Sequence, residues 1–185
     1  MQKRAFLIHG WGGYPEEGWR PWLEEALLKH GIQAVSPAMP DTNTPQMEKW
    51  IEHIHSVVGE PDQETYLLGH SLGSIAILRY LETFKEKQKV GGVVLIAGFT
   101  DDLGVPELRN FFLKPIDWEK IKSVCSKYIS IESDNDPYNL APYNEAFKKY
   151  LGAETLLEHN MMHFSGDDGI SELPIALESV LKLAS

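Results

Sequence analysis

Short apolar runs separated by stretches of helical periodicity set the pattern of this chain. Ala5-Phe6-Leu7-Ile8 is the first run, and Gln33 to Ser36 is a weaker second. Thr65-Tyr66-Leu67-Leu68 and Val93-Val94-Leu95-Ile96 follow, and Tyr128 to Ile131 and Thr155-Leu156-Leu157 complete the set. Runs that are apolar throughout, rather than alternating, mark strands covered on both faces, as in parallel sheets. Between them, Trp19 to His30 places Trp22, Leu23, Ala26 and Leu27 at helical spacing, and Gly31 is positioned to stop that helix. Thr44-Pro45 reads as an N-cap and first helical residue, ahead of a face made by Met47, Trp50, Ile51, Ile54 and Val57. Ser71 to Phe84 is apolar almost all round, which predicts a buried central helix. Pro142 to Tyr150, ended by Gly152, and Pro174 to Leu183 supply two more. Strand and helix alternating throughout predict an α/β fold in three layers: a mostly parallel sheet of about six strands with helices on both faces. In such sheets, sites form beyond the carboxyl ends of the strands.

Composition narrows the class of partner. The 185 residues suit one domain spanning 1–185. The formal net charge is -10, with Asp and Glu spread along the chain. Such a surface repels phosphate backbones and anionic membranes, so neither nucleic acid nor a membrane is expected as a partner. Cys125 is the only cysteine, which rules out an internal disulfide and fits a reducing cytoplasm. It precedes a strand-like run and reads as a core residue rather than a nucleophile. The apolar run after Lys3-Arg4 is too short for a signal-peptide core or a membrane span, and a cytoplasmic protein is the expectation.

The chemistry starts after the third run. Gly69-His70-Ser71-Leu72-Gly73 stands between an apolar strand and an apolar helix, the context that a nucleophile elbow requires. The serine sits there on a strained turn, and the residues two before and two after it are pressed between strand and helix. Only very small side chains fit at those places, which Gly69 and Gly73 supply. The helix N-terminus presents free N–H groups and the positive end of its dipole, and the Leu72 amide is placed to bind an oxyanion. The first strand runs into His9-Gly10-Trp11-Gly12-Gly13, where the Trp11 amide is the expected second donor. A dinucleotide fingerprint is excluded there, because Pro15 occupies the place of its third glycine and the second strand runs into Ser36-Pro37-Ala38 without a terminal acid.

An acid and then a histidine must follow the serine, each after a later strand. Tyr128 to Ile131 leads into Glu132-Ser133-Asp134-Asn135-Asp136-Pro137. Thr155 to Leu157 leads into Glu158-His159-Asn160-Met161-Met162-His163-Phe164. Asp136 is favoured as the acid because Pro137 fixes the loop beyond it, with Asp134 the rival. His163 is favoured as the base because it lies deeper in its loop than His159. His70 is expected to pack and His9 to order the oxyanion loop. His53 and His55 are two apart on a helix and point apart, and no H-E-x-x-H or cysteine cluster exists, so no metal and no organic cofactor are expected.

Taken together, these motifs give the chain a family likeness. From His9-Gly10-Trp11-Gly12 with Trp19 and Trp22, through Met39-Pro40 ahead of Trp50 and the Ser71 elbow, to Ser133-Asp134-Asn135-Asp136-Pro137 and His163-Phe164 ahead of Leu173-Pro174, it resembles the small serine hydrolases grouped with retinoblastoma-binding protein 9 and its bacterial relatives. The resemblance covers essentially the full length. It implies a minimal α/β-hydrolase without a large lid, the triad Ser71, Asp136 and His163, and esterase-type activity on small acyl or amino-acid esters. The namesake's proposed L-x-C-x-E contact is not carried over, because the only cysteine sits in Ser123-Val124-Cys125-Ser126-Lys127.

The expected partner is therefore a small ester or amide, cleaved through an acyl intermediate on Ser71. Thioester, aminoacyl-peptide and acyl-transfer chemistry use the same groups. A second class of function, a binding or regulatory protein that keeps the fold without useful catalysis, is the alternative. Phe99, Phe111, Phe112 and Trp118 fall where larger relatives insert a lid, and are candidates to line an apolar acyl pocket or to pack in the core.

Overall fold

The computed structural model describes residues 2–185, and its six strands form one parallel sheet. In chain order the strands are β1 (Arg4–Ile8), β2 (Gln33–Val35), β3 (Thr65–His70), β4 (Gly92–Ile96), β5 (Tyr128–Ser133) and β6 (Glu154–Glu158). The helices are α1 (Arg20–Lys29), α2 (Met47–Val58), α3 (Leu72–Glu82), α4 (Trp118–Val124), α5 (Tyr143–Leu151) and α6 (Pro174–Leu183), with a 3-10 helix at Pro106–Phe112. Every residue of β3, β4 and β5 is buried, as their unbroken apolar runs require. α1 packs with α6, while α2, α3, α4 and α5 pack in sequence against one another, so the sheet is covered on both faces.

The strand order β2-β1-β3-β4-β5-β6 contains one reversal of direction. From β1 the chain moves outward to β2, then returns past β1 to β3 and proceeds the other way. A crevice opens outside the carboxyl ends of β1 and β3, where their following loops part. Register aligns those ends: Ile8 pairs with Gly69, His70 with Ile96, and Ser133 with Glu158. The loops that carry Gly10, Ser71, Asp136 and His163 therefore leave the sheet along one edge.

Two details depart from the pattern read along the chain. α2 begins at Met47 rather than Pro45; Thr44 closes a turn onto Asp41, and the Met47 N–H is capped across the fold by Asn110 Oδ1 at 2.6 Å. α4 and the 3-10 helix, too short to show a clear period, occupy the segment after β4. Arg79 of α3 straps that segment down, donating to the carbonyls of Phe111, Lys114 and Pro115. Cys125 is buried and its thiol donates to the Lys127 carbonyl; burial pushes its pKa up, leaving it a poor nucleophile. No helix among the described residues is long and apolar enough to cross a membrane.

Candidate active site

Ser71 links β3 to α3 with φ 54° and ψ -123°, a conformation costly for a residue with a Cβ. The turn persists because its surroundings fix it. The Ser71 N–H donates to Ile96 O at 2.8 Å, and Ser74 Oγ donates to Gly69 O at 2.8 Å. A Cβ on Gly73 would collide with the Ile8 carbonyl, and one on Gly69 with the Ser74 backbone. The two glycines thus permit β3, the turn and α3 to close together. Leu72 is the first residue of α3, so its N–H has no acceptor within the helix.

The β1 loop comes close on the other side. A Cβ built on Gly10 would lie 3.0 Å from Ser71 Cβ. His9 is fully buried and orders this loop: Nδ1 donates to Gly10 O at 2.9 Å, while Nε2 accepts the Met39 N–H at 3.1 Å. Burial lowers the His9 pKa, consistent with a neutral ring that donates from one nitrogen and accepts at the other. Gly13 N–H also donates to Gly10 O. Since the peptide is planar and trans, anchoring the Gly10 carbonyl turns the Trp11 N–H the opposite way.

His163 completes the arrangement. Ser71 Oγ donates to its Nε2 at 3.0 Å, and its Nδ1 donates to Asp136 Oδ2 at 2.8 Å. The Asp136 side chain is fully buried, and its Oδ1 accepts the Tyr138 N–H at 2.8 Å. The carboxylate is thereby oriented by a second bond as well as by the imidazole. The His163 main chain is held at both ends: its N–H donates to Asp168 Oδ2 at 3.0 Å, and its carbonyl accepts from His70 Nε2 at 2.7 Å. Burial, then the neighbouring His163, lowers the His70 pKa far below its usual value, so His70 packs as a neutral donor. Burial alone would raise the Asp168 pKa; bonds from the Ser165 hydroxyl, the Ser165 amide and the His163 amide outweigh it and keep the carboxylate ionised.

The rivals Asp134 and His159 pair with each other, Oδ2 to Nδ1 at 2.6 Å, on the outer side of the same two loops. The His159 side chain is 74% exposed, and the pair does not reach Ser71. Its hydrogen bond lowers the Asp134 pKa and raises that of His159, the ordinary effect of an ion pair.

Of the two readings open for the aromatic residues after β4, burial favours core packing for two of them. Phe99 and Phe111 are 1% and 0% exposed and belong to the core. Phe111 packs edge-on against Trp50, and Phe99 lies against the half-buried Phe112. Trp118 stacks on Tyr150 of α5, with ring centroids 5.0 Å apart. Arg79 anchors the segment that carries Phe111 and Phe112. The exposed apolar group that touches the pair is another. Tyr138, 53% exposed, meets the His163 ring edge-on at 4.9 Å, whereas the Trp11 indole N–H donates to Asn43 O at 3.0 Å. Tyr138 sits two residues beyond the acid, a position that the residue pattern alone does not single out.

Glu132 is a further group that sequence reasoning passed over. It lies in β5 with no exposed surface, and its Oε1 accepts the Gly98 N–H at 3.0 Å. Burial, then the nearby Asp136 carboxylate, pushes its pKa up to about 10. The apolar run ends at Ile131, so Glu132 reads in the sequence as the first residue of the loop beyond, whereas β5 extends through it to Ser133.

A parallel sheet with this switch point, and a serine on a strained strand-to-helix turn, define the α/β-hydrolase fold. Comparison with known proteins agrees. The family model for serine hydrolases matches residues 5–182, and the chain belongs to that family. It is similar to YdeN of Bacillus subtilis (strain 168), with 30% identity over 179 residues, covering 96% of this chain and 94% of that protein. It is also similar to the serine hydrolase RBBP9 of Rattus norvegicus, with 33% identity over 140 residues, 73% of each chain. The crystal structure of the ydeN gene product from B. subtilis matches with a TM-score of 0.93 at 29% identity, covering 98% of both chains. The protein is a hydrolase of this family.

Proposed function

We propose that the protein hydrolyses small carboxylic esters through an acyl intermediate on Ser71, with His163 as general base and Asp136 as its orienting acid. The observation that carries this is the unbroken relay from Ser71 Oγ to His163 Nε2 and from Nδ1 to Asp136 Oδ2. Ser71 Oγ attacks the ester carbonyl carbon while His163 takes its proton. Asp136 holds the Nδ1–H tautomer and stabilises the imidazolium. The Leu72 and Trp11 amides receive the negative charge that develops on the carbonyl oxygen. As the C–O bond to the alcohol breaks, His163 returns the proton to the departing oxygen. Water, deprotonated by His163, then attacks the acyl carbon; the acyl C–Oγ bond breaks, His163 returns the proton to Ser71 Oγ, and the acid is released. No metal or organic cofactor enters these steps.

With Phe99 and Phe111 in the core, Tyr138, whose ring meets that of His163, is the exposed apolar group beside the reacting pair. An open, aromatic-edged site favours short or medium acyl groups over long lipid chains, and amino-acid esters and amides share the same reactive carbonyl. The test is a chain-length series of p-nitrophenyl esters on the parent, Ser71→Ala and His163→Ala proteins. Activity is expected to peak at short or medium chains and to vanish in both variants. An optimum at long lipid chains would contradict the substrate range, and full activity of Ser71→Ala would contradict the nucleophile.

A further inference from the structure

The loop bearing His163 is backbone-strained, and something outside it must hold it. Asn160, Met162 and Phe164 all have positive φ, at 61°, 50° and 57°. For Met and Phe this left-handed conformation is costly. Phe164 is anchored by burial, and its carbonyl accepts from Trp19 Nε1 at 2.8 Å. On the other side of His163 the hold comes from the acid loop. Asn135 Oδ1 accepts the Met162 N–H at 2.8 Å, and its Nδ2 donates to Met162 Sδ at 3.2 Å. The residue immediately before His163 is therefore gripped at its main chain and its side chain. Ser133, buried at the end of β5, donates through Oγ to the same Asn135 Oδ1 at 2.8 Å and accepts the Met161 N–H at 3.1 Å. Asp134 adds the Asn160 N–H at 2.9 Å. Successive residues of the acid loop thus bind successive amides of the histidine loop.

We propose that Ser133 and Asn135 form a clamp that sets the position of His163, with Asn135 acting as a positioning residue through Met162. This rests on the assignment of His163 as general base. The clamp makes no contact with substrate. It fixes the direction of the imidazole so that Nδ1 meets Asp136 while Nε2 meets Ser71. Without it, Met162 loses the acceptor that rewards its left-handed conformation, and the chain relaxes just before the base. Displacement of a reacting group by roughly 1 Å costs about 100-fold in rate.

The test is the steady-state hydrolysis of a short-chain p-nitrophenyl ester by five proteins: parent, Asn135→Leu, Asn135→Asp, Ser71→Ala and His163→Ala. Rates are compared at the alkaline plateau of each pH profile, with folding checked by circular dichroism and thermal melting. Asn135→Leu, which removes both bonds to Met162, is expected to lower kcat by about 10- to 100-fold with KM within about twofold of the parent. Asn135→Asp keeps an oxygen to accept the Met162 N–H and is expected to restore kcat to within about threefold. If Asn135→Leu does not fold, Ser133→Ala, which removes the hydroxyl alone, takes its place with a kcat loss of the same sign. Parent-like kcat in the variant that lacks the grip, or an equal loss in Asn135→Asp, would overturn the clamp. Parent-like activity of His163→Ala would instead remove the assigned base, and so separates the two failures.

Discussion

Replacing Glu132 by Gln should make the protein's stability less sensitive to alkali, and the size of the change follows from one buried proton. The Glu132 carboxyl is pushed up to about 10 from an ordinary value of 4.5, first by burial and second by Asp136. In the folded protein it keeps its proton at neutral pH; in the unfolded chain it releases it above pH 4.5. The folded state therefore binds more protons between those limits, and stability falls as pH rises through that window. The slope is about 1.4 kcal/mol per pH unit, or about 3 kcal/mol between pH 4.5 and 7. Gln keeps the oxygen that accepts the Gly98 N–H and has nothing to ionise. All other titrating groups are shared, so the difference between the two proteins isolates this site. Urea unfolding midpoints at pH 6, 7 and 8 should show the variant gaining on the parent by about 3 kcal/mol over those two units. Parallel pH profiles would show that Glu132 is ionised in the folded state and that its buried environment has been misjudged.

Other substitutions test separate parts of the structure. Gly73→Ala drives a Cβ into the Ile8 carbonyl, where only backbone can yield, and should cost about 3 kcal/mol by urea unfolding; unchanged stability would contradict the close packing of the elbow. His159→Ala removes only the outer, exposed pair with Asp134 and should leave ester turnover within about twofold, whereas His163→Ala should lower it by about four to six orders of magnitude. Comparable losses in the two variants would show that the histidines had been assigned the wrong roles. Phe111→Ala should destabilise by about 3–5 kcal/mol through the cavity beside Trp50, with no shift in the acyl-chain optimum. A shifted optimum would return Phe111 to the substrate site.

The sheet was legible because each buried strand is a continuous apolar run, and because Gly69, Ser71 and Gly73 between such a run and an apolar helix have one physical use. Chain order then directed attention to the loops after β5 and β6. Within those loops spacing could not decide between Asp134 and Asp136, or His159 and His163, since all four lie past strand ends. The geometry relates them as an outer pair and an inner pair, and the inner pair meets Ser71. Phe99 and Phe111 were candidates for the pocket because aromatic residues after a strand have the same composition whether they face a substrate or a helix. The Arg79 bonds that hold this segment down join positions more than thirty residues apart and leave no local signal. Asn135 and Glu132 went unnoticed for different reasons: one acts on a main-chain amide in another loop, and the other follows the apolar run like a loop carboxylate, though β5 carries it into the core.

The central claim is that Ser71 is a nucleophile activated by His163 and Asp136. Labelling with a fluorescent fluorophosphonate tests it most directly, because such reagents modify a serine only where a base and an oxyanion site activate it. Strong labelling of the parent, mapped to the Ser71 peptide and lost in Ser71→Ala and His163→Ala, is the predicted result. A well-folded parent that takes up no label, or labelling that survives in Ser71→Ala, would contradict it.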